Sequence, residues 1–199
     1  MSLTLNRDTV PGKRDVFAKV FELFTGGFAF TAAALARHTE GVTLPQGALL
    51  EVNEATRQCS PVKRARLSAG MATGATAAFF EVGHLFEVGD YVFVEDSATA
   101  GTITTIVTGD TSDRVTFGAA IRSLGVIASG NWAQHVATST ATGVTTRVTN
   151  ANAIAAYPTT IEAGASVAAL RRGTVYTNRV QPVVGTDGLP GGILFSTSS

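Results

Sequence analysis

Cysteine occurs once in these 199 residues, at Cys59, so no intramolecular disulfide can form and the folding compartment is expected to be reducing. Cys59 itself reads as a small buried residue. Charge is also scarce: 15 basic and 15 acidic residues cancel, and together they make up only 15% of the chain. With no basic patch or stripe, neither nucleic acid nor an anionic membrane is an expected partner. Long apolar runs are missing as well. The longest low-charge stretch, Leu23 to Ala36, is interrupted by Gly26, Gly27 and two threonines and falls short of the roughly 20 residues a bilayer span needs. The leading MSLTLNRDTVPGKRD is polar and has no apolar signal core, which suggests synthesis and folding in the cytosol.

The residues that carry chemistry are equally sparse. His38, His84 and His135 are far apart, without HxH or HExxH spacing. The chain has no GxSxG elbow, no GxxxxGK[ST] loop and no histidine close to Cys59 in sequence. Glu95, Asp96, Asp110 and Asp113 could meet across neighbouring strands as oxygen ligands for Ca²⁺, but their spacing matches no dedicated loop and turn chemistry accounts for them. The expectation is therefore no catalytic residue, no metal, no cofactor and a protein that is not an enzyme.

What the chain does contain is β pattern. Phe86 to Ile127 reads as three strands in a row, FEVGDYVFVED, GTITTIVTGD and DRVTFGAAIRSLGVI, punctuated by Gly and Asp. In the second, Ile103, Thr105 and Val107 alternate; in the first, Tyr91 to Val94 suit a strand covered on both faces. Upstream, VTLPQGALLEVNEATRQCSPVKRARL reads as a hairpin, ALLEV returning through a polar turn into PVKRARL. Its Lys63, Arg64 and Arg66 are expected on a solvated face or guarding an edge.

The N-terminal segment stands apart. Phe17, Phe21, Phe24 and Phe28 recur at steps of four, three and four, which fits one helical face, although DVFAKVFELF also suits a strand. The rings are either intramolecular core or an arm laid on a partner. Gly26-Gly27 should end the element, and Ala32 to Ala36 begins a helix. Residues 128–168 are weakly patterned, with Trp132 their main aromatic before Tyr157, and allow short strands, long loops or one short helix over Asn150–Ala156. Two extended pieces, 173–184 and 192–196, close the chain.

Three blocks together resemble the capsid decoration and head fiber proteins of tailed bacteriophages, especially those of phages infecting Bacteroides: LPQGALLEVNEATRQCSPVKRA, then FEVGDYVFV with GTITTIVTGDTSDRVTFGAAIRSLG, then RRGTVYTNRVQPVV with LPGGILF. The likeness covers roughly residues 42–127 and 171–196. It implies a homotrimer on the outer capsid surface, bound to the major capsid protein, made in the host bacterial cytoplasm and catalysing nothing.

The expected fold is mainly β, with small antiparallel β-barrel or sandwich modules and an N-terminal arm or short helix. The expected division is an arm at 1–40, a decoration-like hairpin region at 41–80 and a β-rich outer domain at 81–199. The candidate partner interface is Phe17, Phe21, Phe24, Phe28 and Trp132. A receptor- or glycan-binding tail adhesin is the alternative, with Trp132 as a stacking platform if it stands on an exposed rim.

Overall fold

A computed structural model of the chain describes residues 16–121, 125–138, 147–184 and 187–197. The fold is mainly β, and its described strands form two curled sheets and one small two-stranded sheet. In chain order they are β1 (Phe17–Leu23), β2 (Phe28–Phe30), β3 (Thr43–Leu44), β4 (Leu49–Asn53), β5 (Gln58–Pro61), β6 (Arg64–Arg66), β7 (Ala77–Glu81) and β8 (Tyr91–Val94). There follow β9 (Gly101–Val107), β10 (Ser112–Phe117), β11 (Trp132–Val136), β12 (Ala153–Ala155), β13 (Thr159–Thr160), β14 (Ser166–Val167), β15 (Ala169–Tyr176) and β16 (Ile193–Ser196). One helix, α1 (Ala32–Arg37), lies in the expected alanine run, capped by Thr31, whose Oγ1 accepts from Ala34 N at 2.9 Å. No helix among the described residues is long and apolar enough to cross a membrane.

The first sheet runs β1-β15-β12-β4-β5-β2-β14, with β16 added in parallel to β15. Only Ala168 separates β14, at one end of this path, from β15, next to the other end, so the sheet curls back on itself. Leu50, Val52, Ala153, Ala155, Val167 and Ala169 fill its interior together with Phe24, Phe28 and Phe30. The opposite side chains, Leu49, Ile154, Leu170 and Val175, are buried too, under Val16, Val62, Val180 and Ile193. Strand β4 is thus apolar on both faces because two cores meet across it. A hairpin forms from β4, but its return strand is β5 (Gln58–Pro61) and not PVKRARL, whose Arg64–Arg66 is β6 of the second sheet; Asn53 Oδ1 accepts from Ala55 N (3.0 Å) and Thr56 N (3.1 Å) in the turn.

The second sheet runs β6-β11-β8-β9-β10-β7 and closes through the Leu67–Phe80 bridge, beside which Ser68 N donates to Phe79 O at 2.9 Å. Leu67, Phe80, Val92, Val94, Ile103, Val115, Phe117 and Ile127 fill this barrel. The three strands expected in Phe86–Ile127 are β8, β9 and β10, paired antiparallel, and Tyr91–Val94 is covered on both faces as expected. Strands from residues 41–80 are shared between the barrels, with β4 and β5 in the first and β6 and β7 in the second.

Several expectations are narrowed or corrected. Of the two readings open for the aromatic steps of residues 17–28, the strand is the one found: Phe17 and Phe21 lie on β1, Phe28 on β2 and Phe24 between them, where Gly26 (φ 84°) and Gly27 (φ 63°) turn the chain. A Cβ at Gly27 would meet Ser166 Oγ at 2.3 Å, so the turn demands glycine on space as well as dihedral. Of the readings open for Asn150–Ala156 a strand forms and no helix: Ala153–Ala155 is β12, fully buried between β4 and β15 with Ala153 and Ala155 in one core and Ile154 in the other, and that burial overrides alanine's helix preference. Asn152 locks the strand by accepting from Val52 N (2.6 Å) and donating to Val52 O (2.8 Å). The alternation in β9 also slips. Thr116 pairs with Thr105 but Phe117 with Ile103, so a bulge at Thr104 leaves Ile103 and Ile106 packed on the core while Thr105 and Val107 face solvent.

Candidate functional site

Of the four N-terminal rings, the structure separates the outer from the inner. Phe24 and Phe28 are core, meeting edge to face at 5.6 Å between centroids. Phe17 is half-buried, whereas Phe21 is 54% exposed, with Lys19 Nζ 4.6 Å from its ring centre. Residues 18–22 of β1 are all exposed, so the strand is covered on neither face, and among the described residues it pairs only with β15, leaving one backbone edge open. Val20 (42% exposed) adds to the apolar surface, and Leu194 (61%) lies across β15 on the neighbouring β16. An open apolar edge of this kind accepts a strand from another protein.

Trp132 is not on an exposed rim. It is half-buried on β11, its ring 6.2 Å from that of Phe93, and it lines a groove of about 530 Å³ between the barrels with Val180, Val183, Leu189 and Phe195. Three of the four acidic residues weighed for Ca²⁺ have separate local duties: Glu95 Oε2 accepts from Trp132 N, Asp96 from Asn131 Nδ2, and Asp113 from Gly109 N. Among the described residues no group of three or more His, Cys, Asp or Glu is placed to hold a metal ion. Cys59 is buried in the first core, which pushes its thiol up to about 12.

The largest departure from expectation is the basic run. Lys63 and Arg64 are not solvated; they are 3% and 0% exposed and stitch the barrels together, because this short connection between β5 and β6 runs through the seam. Lys63 Nζ reaches Glu87 Oε2 at 3.2 Å and Asp90 Oδ2 at 2.8 Å. Arg64 grips Asp187 through Nη1 (2.7 Å) and Nη2 (3.2 Å) and also donates to Pro182 O at 2.8 Å. Arg147 Nη1 reaches the same carboxylate at 3.0 Å, and Arg66, half-buried, donates to Thr177 O at 2.8 Å. Burial and the neighbouring Arg64 charge hold the Arg147 guanidinium below its ordinary value.

The three histidines, scattered in sequence, lie at or beside this seam. His38, just after α1, is 7% exposed, and burial together with the Lys63 charge takes it down to about 4. His135 Nε2 lies 3.6 Å from Asp90 Oδ1, and burial lowers its pKa. His84 Nε2 is 3.1 Å from Asp113 Oδ2, and burial lowers it despite that carboxylate. Thr39 N donates to Glu87 Oε1 at 2.6 Å; burial raises Glu87, but this hydrogen bond and Lys63 outweigh it and keep the carboxyl below its usual range. Partners 24 to 123 residues apart in sequence carry no local signal, which is why sequence reasoning missed the seam.

No family model matches the chain, and no curated protein or solved structure matches it.

Proposed function

We propose that this chain is a structural virion protein that binds the outer surface of a tailed-phage capsid as a decoration or head fiber protein, docking through β1 and stabilising the shell. What carries the reading is the state of β1: among the described residues it is a strand with exposed side chains on both faces and one unpaired edge, presenting Val20 and Phe21 to solvent. Covering those two side chains, each already about half covered, contributes roughly 1 kcal/mol apiece, and strand pairing along the open edge adds direction. Such contacts depend little on salt, which suits a chain with balanced and sparse charge. Repeated around a shell as a homotrimer, modest interfaces add up through avidity. The half-buried placement of Trp132 between the barrels supports this reading over the glycan-binding one.

The test is co-sedimentation of the purified chain with phage heads, alongside the Val20→Asp/Phe21→Asp variant. Binding by the parent chain and its loss in the variant are expected. An unbound parent chain would overturn the capsid role, and full binding by the variant would overturn the assignment of β1. Light scattering at several concentrations checks the trimer, against which a persistent monomer would count.

A further inference from the structure

We propose that the seam between the barrels is an acid-sensitive latch, in which protonation of His38 and His135 releases the segment after α1 from Glu87, Asp90 and Lys63 and lets the barrels swing apart. The inference does not rest on the capsid role. It rests on where the seam's contacts lie. The first barrel contributes Arg37, His38 and Thr39, and Thr39 N is held by Glu87 Oε1 at 2.6 Å. The second contributes Glu87, Asp90 and His135, with Lys63 at the crossing; His135 N donates to Lys63 O at 3.0 Å. The charges that face His38 are Lys63, Glu87, Asp90 and His135; those that face His135 are Asp90, Lys63 and Arg37.

At neutral pH Lys63 is the cation between two carboxylates, and both imidazoles are neutral. His38 Nδ1 has no hydrogen-bond partner, so a proton placed on that ring gains no acceptor there and must be desolvated beside the Lys63 ammonium. The carboxylates attract such a proton, but burial outweighs them. The sign follows directly. An opened seam takes up protons near the ordinary histidine value of 6.5, whereas His38 in the closed seam takes one up only near 4, so the open form holds more protons in between and closure weakens as pH falls. For His38 alone that interval shifts the opening equilibrium by about 10²-fold.

The remaining seam contacts, Arg64 with Asp187, Arg66 with Thr177 O and the Trp132 groove, contain no histidine and serve as the pivot. Among the described strands the chain crosses between the barrels at Val62–Lys63 and between β11 and β12, which permits a swing without unfolding either barrel.

The experiment places spin labels at Glu40→Cys and Val88→Cys, both exposed, one on each side of the seam; Cys59 is buried and does not compete. Between pH 7 and pH 4 the label distance is expected to lengthen reversibly while far-UV circular dichroism holds. In His38→Gln/His135→Gln the transition is expected at least one pH unit lower. An NMR titration of the unsubstituted chain needs no variant and should find His38 about two units below an ordinary histidine. A constant distance down to pH 4, lengthening only together with loss of circular dichroism, or His38 titrating near 6.5 with the seam shut would each overturn the latch.

Discussion

The two barrels reach closure by different routes. The second draws all its strands from one stretch, β6 to β11, pairs them antiparallel and packs one main core, with a small cluster of Phe93, Ala100 and Val136 outside it. The first takes strands from both ends of the chain, includes the parallel pairs β2–β5 and β15–β16, uses strands as short as two residues, and needs a core on each side of β4. Antiparallel neighbours joined by tight turns announce themselves locally, whereas pairings across a hundred residues depend on the whole chain being in place. Contiguity thus separates a barrel that folds on local instruction from one that relies on its tail.

The contrast can be broken most forcefully in the second barrel. Phe80 is fully buried and forms the closing bridge with Leu67, so Phe80→Ala should cost about 3–5 kcal/mol in denaturant unfolding, with the first barrel's circular dichroism signature lost later if the barrels unfold separately. Next comes the seam. Arg64→Met strands Asp187 with Arg147 as its remaining ion-pair partner and is expected to cost roughly 3 kcal/mol; Arg64→Met/Asp187→Leu should recover part of this by removing the buried carboxylate as well.

Acid sharpens the comparison in another way. His38 at about 4 is depressed below its ordinary 6.5, so the stability it contributes is present at pH 7 and lost as pH falls through that window, amounting to at most about 3 kcal/mol by calorimetry. In the first barrel, Thr31→Ala removes the cap on α1 and should cost about 1 kcal/mol. The smallest effect is expected from Phe21→Asp, within about 0.5 kcal/mol of the parent in thermal unfolding, because the ring is already in water. A large loss there would mean that β1 is packed in the isolated protein.

Much of the second barrel was legible. The runs YVFV, GTITTIV and SDRVTF carry β-branched and aromatic residues between Gly and Asp turns, and each is a strand. Strand β4, the α1 helix and the burial of Cys59 were legible for the same local reasons, whereas the return strand of the hairpin falls at β5 and not at PVKRARL. The partner surface was legible only in part: the spacing of Phe17, Phe21, Phe24 and Phe28 marks an aromatic element but cannot say which rings turn inward. The seam was not legible at all. A basic run beside a proline has the composition of a solvated edge, and nothing near it in sequence shows that Glu87, Asp90 and Asp187 arrive to neutralise it.

Composition and short-range pattern by themselves determined that this chain is a β protein without disulfides, with turns at its Gly and Asp pairs, since strand preference and turn geometry are properties of a few adjacent residues. Only the tertiary structure decided that β12 is a strand and not a helix, that Phe21 faces water while Phe28 does not, and that Lys63 and Arg64 are interior. Those outcomes depend on which distant surfaces exclude water from a side chain, and that exclusion comes into being only when the two barrels close and meet.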